Sequence, residues 1–147
     1  MKMKIFLLVL VVFLVLILTG CIVAPGFPEW MEAENTVYNY WQAIINRQYG
    51  LAECFCIYDG IWYNKIDEWE EYINIHSEDY CSFLMIYFDK FYKSTEVTGD
   101  TAMVYVRIIA DKIVLPCKKM DGLDIDIFEY ETELIDRNYP SGYWALK

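Results

Sequence analysis

The residues that could support nucleophilic or metal chemistry are few in this chain and poorly placed for it. Its single histidine, His76, is followed directly by Ser77. Adjacent residues on a helix do not face each other, so His76 is not positioned to activate that serine. No serine lies in a glycine-flanked elbow, and metal catalysis needs three convergent ligands with an open position. We therefore expect no hydrolytic or metal-dependent activity, and no metal or other cofactor.

A cysteine at the end of an apolar run is the most specific chemical signal. Residues 1–4 contain two lysines, residues 5–18 carry no polar side chain, and Leu18-Thr19-Gly20-Cys21 closes the run. A basic head, an apolar stretch and small residues in this order are typical of a secretory signal. The four-residue ending resembles the bacterial lipobox. That resemblance implies a diacylglyceryl group on Cys21, which becomes the first residue of the mature protein.

A transmembrane anchor is the alternative interpretation of the same segment. As a helix, residues 5–18 would span about 21 Å at ~1.5 Å per residue. The hydrocarbon core is ~30 Å thick, and an extension through Ala24 would reach that length. In both interpretations the basic flank stays in the cytoplasm and the remaining chain lies outside it. We predict a signal peptide at residues 1–20, a lipidated cysteine and short tether at residues 21–31, and one domain at residues 32–147, lipid-anchored at the cell membrane or outer envelope.

The remaining cysteines permit disulfides without fixing their pairing. Cys54, Cys56, Cys81 and Cys117 are left once Cys21 is assigned to lipid, and an even number in an exported protein permits two bridges. Cys54 and Cys56 are too close in sequence to be expected as a pair. Either Cys54–Cys81 accompanies Cys56–Cys117, or Cys54–Cys117 accompanies Cys56–Cys81. Buried free thiols are the alternative, and zinc is disfavoured because no Cys-x-x-Cys pair occurs.

The charge of the chain limits the class of partner. There are 22 acidic and 12 basic side chains, for a net charge of -10, which moves to about -12 when Lys2 and Lys4 leave with the signal. A strongly acidic domain does not bind nucleic acid by neutralising phosphates, and anionic lipid headgroups repel it. The 13 tyrosines and 5 tryptophans are typical of a packed core, with a binding surface as the alternative.

Helical spacing dominates the first half of the domain. Apolar residues recur at that spacing over residues 32–47: Val37, Tyr40, Trp41, Ile44 and Ile45. Gly50 breaks the pattern, and a short second helix is predicted over residues 51–57, before a turn at Asp59-Gly60. A third helix is predicted over residues 66–80, with Ile66, Trp69, Ile73 and Tyr80 on its apolar side. Its acidic run, residues 67–71, is predicted to be a solvated face.

A period of two replaces the helical spacing after Cys81. Residues 83–97 are predicted to be a strand, followed by a turn at Thr98-Gly99-Asp100. The next strand alternates, with one face formed by Ala102, Val104, Val106 and Ile108. We expect Trp41 and Val104 or Val106 to be buried against each other's layers.

The last part of the chain also alternates, but with a change of parity. Phe128, Tyr130, Thr132 and Leu134 alternate with glutamates, which predicts one buried and one wet face. Upstream, Ile125 and Ile127 fall on the opposite parity. An alternating strand can keep both sets of apolar residues on one face only if it contains an extra residue. We therefore expect a β-bulge near Ile127-Phe128. Loops are predicted at residues 116–122 and 136–142, and a closing strand at residues 143–147.

Helices followed by an antiparallel meander define an α+β fold: N-terminal helices packed on a curved antiparallel sheet of about four strands. The order of the three helices, the hairpin Glu96-Val97-Thr98-Gly99-Asp100-Thr101-Ala102 and the terminal Gly-Tyr-Trp-Ala-Leu-Lys strand resemble the nuclear transport factor 2-like superfamily, in particular its small lipoproteins. The resemblance covers residues 32–147. It implies a curved sheet that wraps the helices into a cone.

The resemblance implies several functions, because members of the superfamily include isomerases, dehydratases, cyclases and non-catalytic binding domains. The enzymes place an Asp or His, often with a Tyr, inside the cone, where burial raises the pKa of a carboxyl group towards that of a general base. The candidates for this role are Asp59, His76, Asp89 and Tyr105. None of them matches a catalytic motif of the superfamily.

Three functional hypotheses follow. The leading one is a lipid-anchored, extracytoplasmic, non-enzymatic domain that binds a small ligand, a peptide or a partner protein. The second is a cone-cavity enzyme that moves a proton on a small apolar substrate. The third is a structural subunit that forms a homodimer through its open sheet face. An interior filled with Tyr and Trp would favour binding outside the cone.

Overall fold

The computed structural model describes residues 27–77, 82–114, 124–137 and 143–147. Within these residues three helices are followed by a curled, five-stranded antiparallel sheet, so the predicted α+β class and order are confirmed. The helices are α1 (Glu29–Ile45), α2 (Tyr49–Glu53) and α3 (Ile61–Ser77). The strands are β1 (Ser82–Phe91), β2 (Glu96–Thr98), β3 (Thr101–Val114), β4 (Asp124–Asp136) and β5 (Trp144–Leu146).

Helix α1 begins at Glu29, three residues earlier than the sequence predicts. The carbonyl of Pro28 accepts hydrogen bonds from the backbone N–H of Met31 and Glu32, at 2.8 and 3.2 Å. The side chains of Glu29 and Glu32 lie in the first turn, where the positive end of the helix dipole stabilises acids. The predicted apolar face is confirmed, since Val37, Tyr40, Trp41 and Ile44 are fully buried.

Helices α2 and α3 also start before their predicted positions. Gly50 lies inside α2 instead of interrupting it. Helix α3 starts at Ile61, directly after the predicted Asp59-Gly60 turn, where Asp59 has φ 60°. A Cβ on Gly60 would lie 3.0 Å from the Ile57 carbonyl oxygen and 3.1 Å from the Lys147 backbone carbon, so the close approach of two backbones requires glycine here.

The sheet has the strand order β1-β3-β4-β5, and β2 pairs with the first residues of β3. Strands β1 and β2 therefore lie end to end along one edge of β3, where the sequence predicted one strand over residues 83–97. The predicted hairpin turn is confirmed, with Gly99 at φ +61°. The predicted inward face of β3 is also confirmed, because Ala102, Val104, Val106 and Ile108 are buried.

The expected β-bulge near Ile127-Phe128 is wrong. Pairing between β3 and β4 continues without a shift from Thr101↔Ile135 to Lys112↔Asp124. Phe128 and Tyr130 face the helices as predicted, and the change in parity simply leaves Ile125 and Ile127 on the outer face, 45% and 61% exposed. The irregularity lies instead between β1 and β3, where the register shifts between Phe88 and Lys90.

The helices pack on the concave face of the sheet and form one core with it. Trp41 of α1 and both Val104 and Val106 of β3 are fully buried in the same cluster, as predicted. Strand β5 is hydrogen-bonded to the connection between α2 and α3. The backbone N–H of Ile57 donates to the Leu146 carbonyl at 2.8 Å, and the N–H of Leu146 donates to the Phe55 carbonyl at 2.9 Å.

Candidate functional site

The four candidates for a cone-cavity site are not brought together. Asp59 lies in the turn before α3 and His76 in its last turn, so a 17-residue helix, about 25 Å long, separates them. Asp59 lines a wide opening of about 610 Å³ beside the free edge of β4. His76 donates from Nδ1 to the Tyr72 carbonyl oxygen at 2.7 Å, and its ring centre lies 4.2 Å from that of Tyr72.

Asp89 and Tyr105 lie on the outer face of the sheet, where Tyr105 is buried to 9% exposure. Asp89 sits at the register shift between β1 and β3, with its Oδ2 atom 3.8 Å from Nη1 of Arg107. Tyr105 lies on the face of β3 opposite to the buried valines. Its hydroxyl donates to Oε1 of Glu96 at 3.4 Å, and Nζ of Lys93 lies 4.5 Å from its ring centre. Neither side chain points towards the helices on the concave face of the sheet.

The predicted cysteine sites fall mostly outside the described residues, where Cys21, Cys81 and Cys117 lie. Cys54 is exposed and Cys56 is buried, and within the described residues neither is bridged to another cysteine. Burial raises the pKa of the Cys56 thiol to about 12, against a smaller lowering by Arg137. The two disulfide pairings, each of which needs Cys81 and Cys117, stay predictions.

Aromatic rings fill the interior between the helices and the sheet. The ring of Trp41 meets those of Trp62 and Trp69 edge to face, at centre distances of 6.1 and 5.3 Å. It stacks on Tyr130 at 5.3 Å with an angle of 22°. The Tyr40 hydroxyl donates to the Trp62 carbonyl at 3.1 Å, and burial raises the pKa of Tyr40 above its ordinary value. In the described part of the chain no carboxylate or histidine is buried.

A small cleft opens where this aromatic core reaches the surface between α3 and β4. We call it the aromatic cleft; it has a volume of about 120 Å³ and is lined by Glu68, Trp69, Tyr72, Phe128 and Tyr130. The rings of Phe128 and Tyr130 are nearly parallel, at 4°, because the two residues are neighbours on one face of β4. Trp69 and Tyr72 meet Phe128 edge to face at 5.0 and 5.6 Å.

Glu68 is the charged residue that lines the aromatic cleft, and Lys65, which lines the neighbouring wide opening, pairs with it. Nζ of Lys65 lies 3.3 Å from Oε2 of Glu68 and 5.4 Å from the ring centre of Tyr130. The Glu68 side chain is 70% exposed. Burial raises the pKa of the Tyr130 hydroxyl to about 12, while a hydrogen bond with Trp69 lowers it to a smaller extent. Tyr130 is therefore a neutral, largely desolvated wall of the cleft at physiological pH.

A hydrogen bond between elements fixes the mouth of the aromatic cleft. The Tyr72 hydroxyl donates to Oδ2 of Asp126 at 2.7 Å, which joins α3 to β4. Because His76 packs against the Tyr72 ring, the orientation of that ring is set from two sides. The cleft is thus a preformed concave site with aromatic walls and a carboxylate at its edge.

The convex face of the sheet carries a second surface feature. At one end of β1, β3 and β4 lies a group of exposed apolar side chains, which we call the outer apolar patch: Phe83, Met85, Tyr87, Ile125 and Ile127. Tyr87, Ile109 and Ile127 form one row across the three strands. At its border Nε of Arg107 donates to Oε1 of Glu129 at 2.9 Å, so these charges pair with each other.

Comparisons with known proteins add no assignment, since no family model, curated protein or solved structure matches this chain. Within the ranges that the structure describes, no three His, Cys, Asp or Glu side chains are grouped so as to hold a metal ion. None of the described helices has the length and apolar character needed to cross a membrane.

Sequence reasoning predicted the burial of three aromatic residues of the cleft, but it predicted neither Tyr72 as a fourth nor the cleft itself. It predicted Trp69 on the apolar side of its helix and Phe128 and Tyr130 on the buried face of their strand, and both predictions are confirmed. It treated Glu68 as part of a solvated face, which its exposure also confirms. The missing information was that α3 lies along β4, a tertiary contact with no local signal. The recurrence of aromatic residues at positions 69, 72, 128 and 130 was the only hint.

Proposed function

We propose that this chain is a lipid-anchored, extracytoplasmic, non-enzymatic domain that binds a small ligand in the aromatic cleft. The observation that carries the proposal is the position of the cleft: the cone interior is filled by rings, and the concave site lies outside it, between α3 and β4. Concave sites lined by aromatic side chains with few polar groups are typical of ligand pockets. A proton-transfer enzyme of the cone would need a buried acid or histidine, and the described interior holds none.

The anchoring part of the proposal rests on Leu18-Thr19-Gly20-Cys21 and on the helix-then-curled-sheet order, which supports membership among nuclear transport factor 2-like lipoproteins. Cells fed a labelled fatty acid should incorporate label into the wild-type protein and into Cys54→Ser, a control at an exposed thiol. Cys21→Ser should carry no label and keep its signal peptide. Equal labelling of all three proteins would refute lipidation at Cys21.

The binding part of the proposal is tested with a survey of small molecules. The full-length protein in maltoside micelles is exposed to cationic, neutral and anionic compounds, and the indole N–H resonance of Trp69 is followed by NMR. At least one class should shift this resonance, and Phe128→Leu should reduce the shift because it removes a wall of the cleft. If no class of compound shifts the Trp69 resonance, the cleft is not a ligand site.

The outer apolar patch favours a second function, a structural subunit that pairs with a second copy of the chain. Exposed apolar groups of this kind mark interaction surfaces. At the border Arg107 pairs with Glu129 and Asp89, and Asp111 lies between Met85 and Ile125 in the strand register. This face therefore keeps a net negative charge, which the apolar contact between two copies has to outweigh. A two-fold interface would place Ile127 near its counterpart.

Cysteine cross-linking in membranes tests this second function. In a background with Cys54, Cys56, Cys81 and Cys117 replaced by serine, oxidation should link Ile127→Cys into a disulfide-bonded dimer. Ile75→Cys on α3, where Ile75 is 63% exposed, serves as the control and should stay monomeric. Equal dimer yields for the two variants would show random collision in the membrane and would refute the interface.

A further inference from the structure

We propose that the ligand of the aromatic cleft is an alkylammonium cation, such as a trimethylammonium head group. The inference rests on the proposed function of the cleft as a ligand site, and it specifies the chemical class of that ligand. Three features carry it: the aromatic walls, the carboxylate at the rim, and a lysine of the chain that already places its ammonium group between the two.

The walls of the aromatic cleft have the chemistry that organic cations prefer. The face of an aromatic ring is negative, so it attracts a cation within about 6 Å of its centre, and several rings around one site form a cage for quaternary ammonium groups. Trp69, Tyr72, Phe128 and Tyr130 surround the cleft. The Phe128 and Tyr130 rings lie parallel, with their centres 6.3 Å apart, so both contribute to the same side of the cleft.

Lys65 shows where a cation is stabilised. Its Nζ atom lies over the ring of Tyr130, 5.4 Å from the centre, and 3.3 Å from Oε2 of Glu68. A primary ammonium also keeps strong hydrogen bonds to water, so it stays at the rim. A trimethylammonium group has no N–H and spreads its charge over methyl groups, so it loses less on leaving water for the ring walls.

Size and charge favour the same class of ligand. A cavity of about 150 Å³ with apolar walls holds benzene, so the aromatic cleft, at about 120 Å³, suits a compact, branched head group. Glu68 lines the cleft and Asp126 lies beside it, bound to the Tyr72 hydroxyl. These carboxylates disfavour anions, and a neutral apolar ligand would gain nothing from Glu68.

The test compares choline with 3,3-dimethylbutan-1-ol, which has the same shape but no charge. The full-length protein in dodecyl maltoside micelles is titrated with each compound at constant ionic strength, and the Trp69 indole resonance is followed by NMR. Detergents with phosphocholine heads are avoided because they carry the same cation. Choline should bind at least about tenfold more tightly, the combined effect of the ring faces and one carboxylate.

Variants assign the binding to the aromatic cleft. Glu68→Gln should weaken choline binding roughly threefold, as expected for an exposed ion pair. Glu71→Gln removes the same charge from the same helix at a residue that does not line the cleft, and it should leave binding unchanged. Phe128→Leu keeps an apolar side chain but removes a ring face, and should weaken binding about fivefold. Lys65 does not line the cleft, but its ammonium group pairs with Glu68. Lys65→Met therefore frees this carboxylate and should tighten binding roughly threefold.

The outcomes separate this inference from the proposed function. Equal affinity for choline and its neutral isostere, or equal loss in Glu68→Gln and Glu71→Gln, would overturn the cation assignment while leaving a ligand site. A Trp69 resonance that shifts with some compound of the small-molecule survey but not with choline would also overturn the cation assignment and leave a ligand site. A Trp69 resonance that responds to no compound would overturn both proposals.

Discussion

The tryptophan at the centre of the core provides the sharpest test of the packing. Trp41 is fully buried on α1 and contacts the rings of Tyr40, Trp62, Trp69 and Tyr130, at centre distances from 5.3 to 6.1 Å. Truncation of such a side chain removes its transfer free energy and leaves a cavity, so Trp41→Ala should lower the free energy of unfolding by about 3–5 kcal/mol. This is a large part of the ~5–15 kcal/mol that stabilises a typical domain.

A second substitution at the same position separates the ring from its polar atom. Within the described residues, Nε1 of Trp41 is buried without a hydrogen-bond partner, and such a group costs about 1–3 kcal/mol. Phenylalanine removes this atom but is smaller by roughly 40 Å³, which at ~24 cal/mol per Å³ of cavity costs about 1 kcal/mol. The two effects oppose each other, so Trp41→Phe should change stability by no more than about 1 kcal/mol.

Chemical denaturation of purified protein, followed by circular dichroism, measures both changes. Trp30 on the same helix is 44% exposed, so Trp30→Ala is a matched control and should cost less than about 0.5 kcal/mol. A loss below about 1 kcal/mol for Trp41→Ala would refute the packed core and leave Trp41 as a surface group. A loss in Trp41→Phe as large as that in Trp41→Ala would show that the indole N–H is satisfied.

Three further predictions follow from single residues. A thiol reagent at neutral pH should modify Cys54 within the native protein but Cys56 only after denaturation. If neither cysteine reacts until a reductant is added, the predicted disulfide pairings would be supported instead. Gly99→Ala should lower the free energy of unfolding by about 1 kcal/mol because of the positive φ. Gly50→Ala in α2, where a Cβ meets nothing within 4 Å, should instead stabilise the protein by about 0.5 kcal/mol. Equal effects of the two substitutions on the melting temperature would contradict this. Burial raises the pKa of Cys56 and of Tyr130 to about 12, so the unfolded chain loses these protons first and stability should fall as the pH rises from about 9 to 12. Tyr130→Phe should flatten this decline in pH-dependent denaturation, and an unchanged slope would show that Tyr130 is not responsible.

The sequence predicted the helices and strands more accurately than the residues at which they begin and end. Alternation over residues 102–108 and 128–134 predicted which faces are buried, because a strand with one buried face must alternate. The predicted bulge failed because it assumed that apolar residues are buried: Ile125 and Ile127 stay on the outer face, and the register runs through them unbroken. Helix α3 begins at Ile61, five residues before its predicted start, because its first turn follows Gly60 directly.

The candidate site was less predictable than the fold. Asp59, His76, Asp89 and Tyr105 were chosen by residue type, and the structure leaves them at three places: the two ends of α3 and the outer face of the sheet. The aromatic cleft depends instead on the approach of α3 to β4, residues about sixty positions apart in the chain. Local periodicity describes one element at a time and carries no signal for such a contact.

Tyr130 lies in two environments at once. One part of its ring stacks on Trp41 in the core, and another forms a wall of the aromatic cleft. A substitution that reshapes this wall also removes a core contact, so stability restricts Tyr130 whatever the cleft binds. Glu68 and its partner Lys65 form an ion pair outside this core. If the proposed cation site exists, its ligand preference can change during evolution through these two charged positions while the aromatic walls stay unchanged.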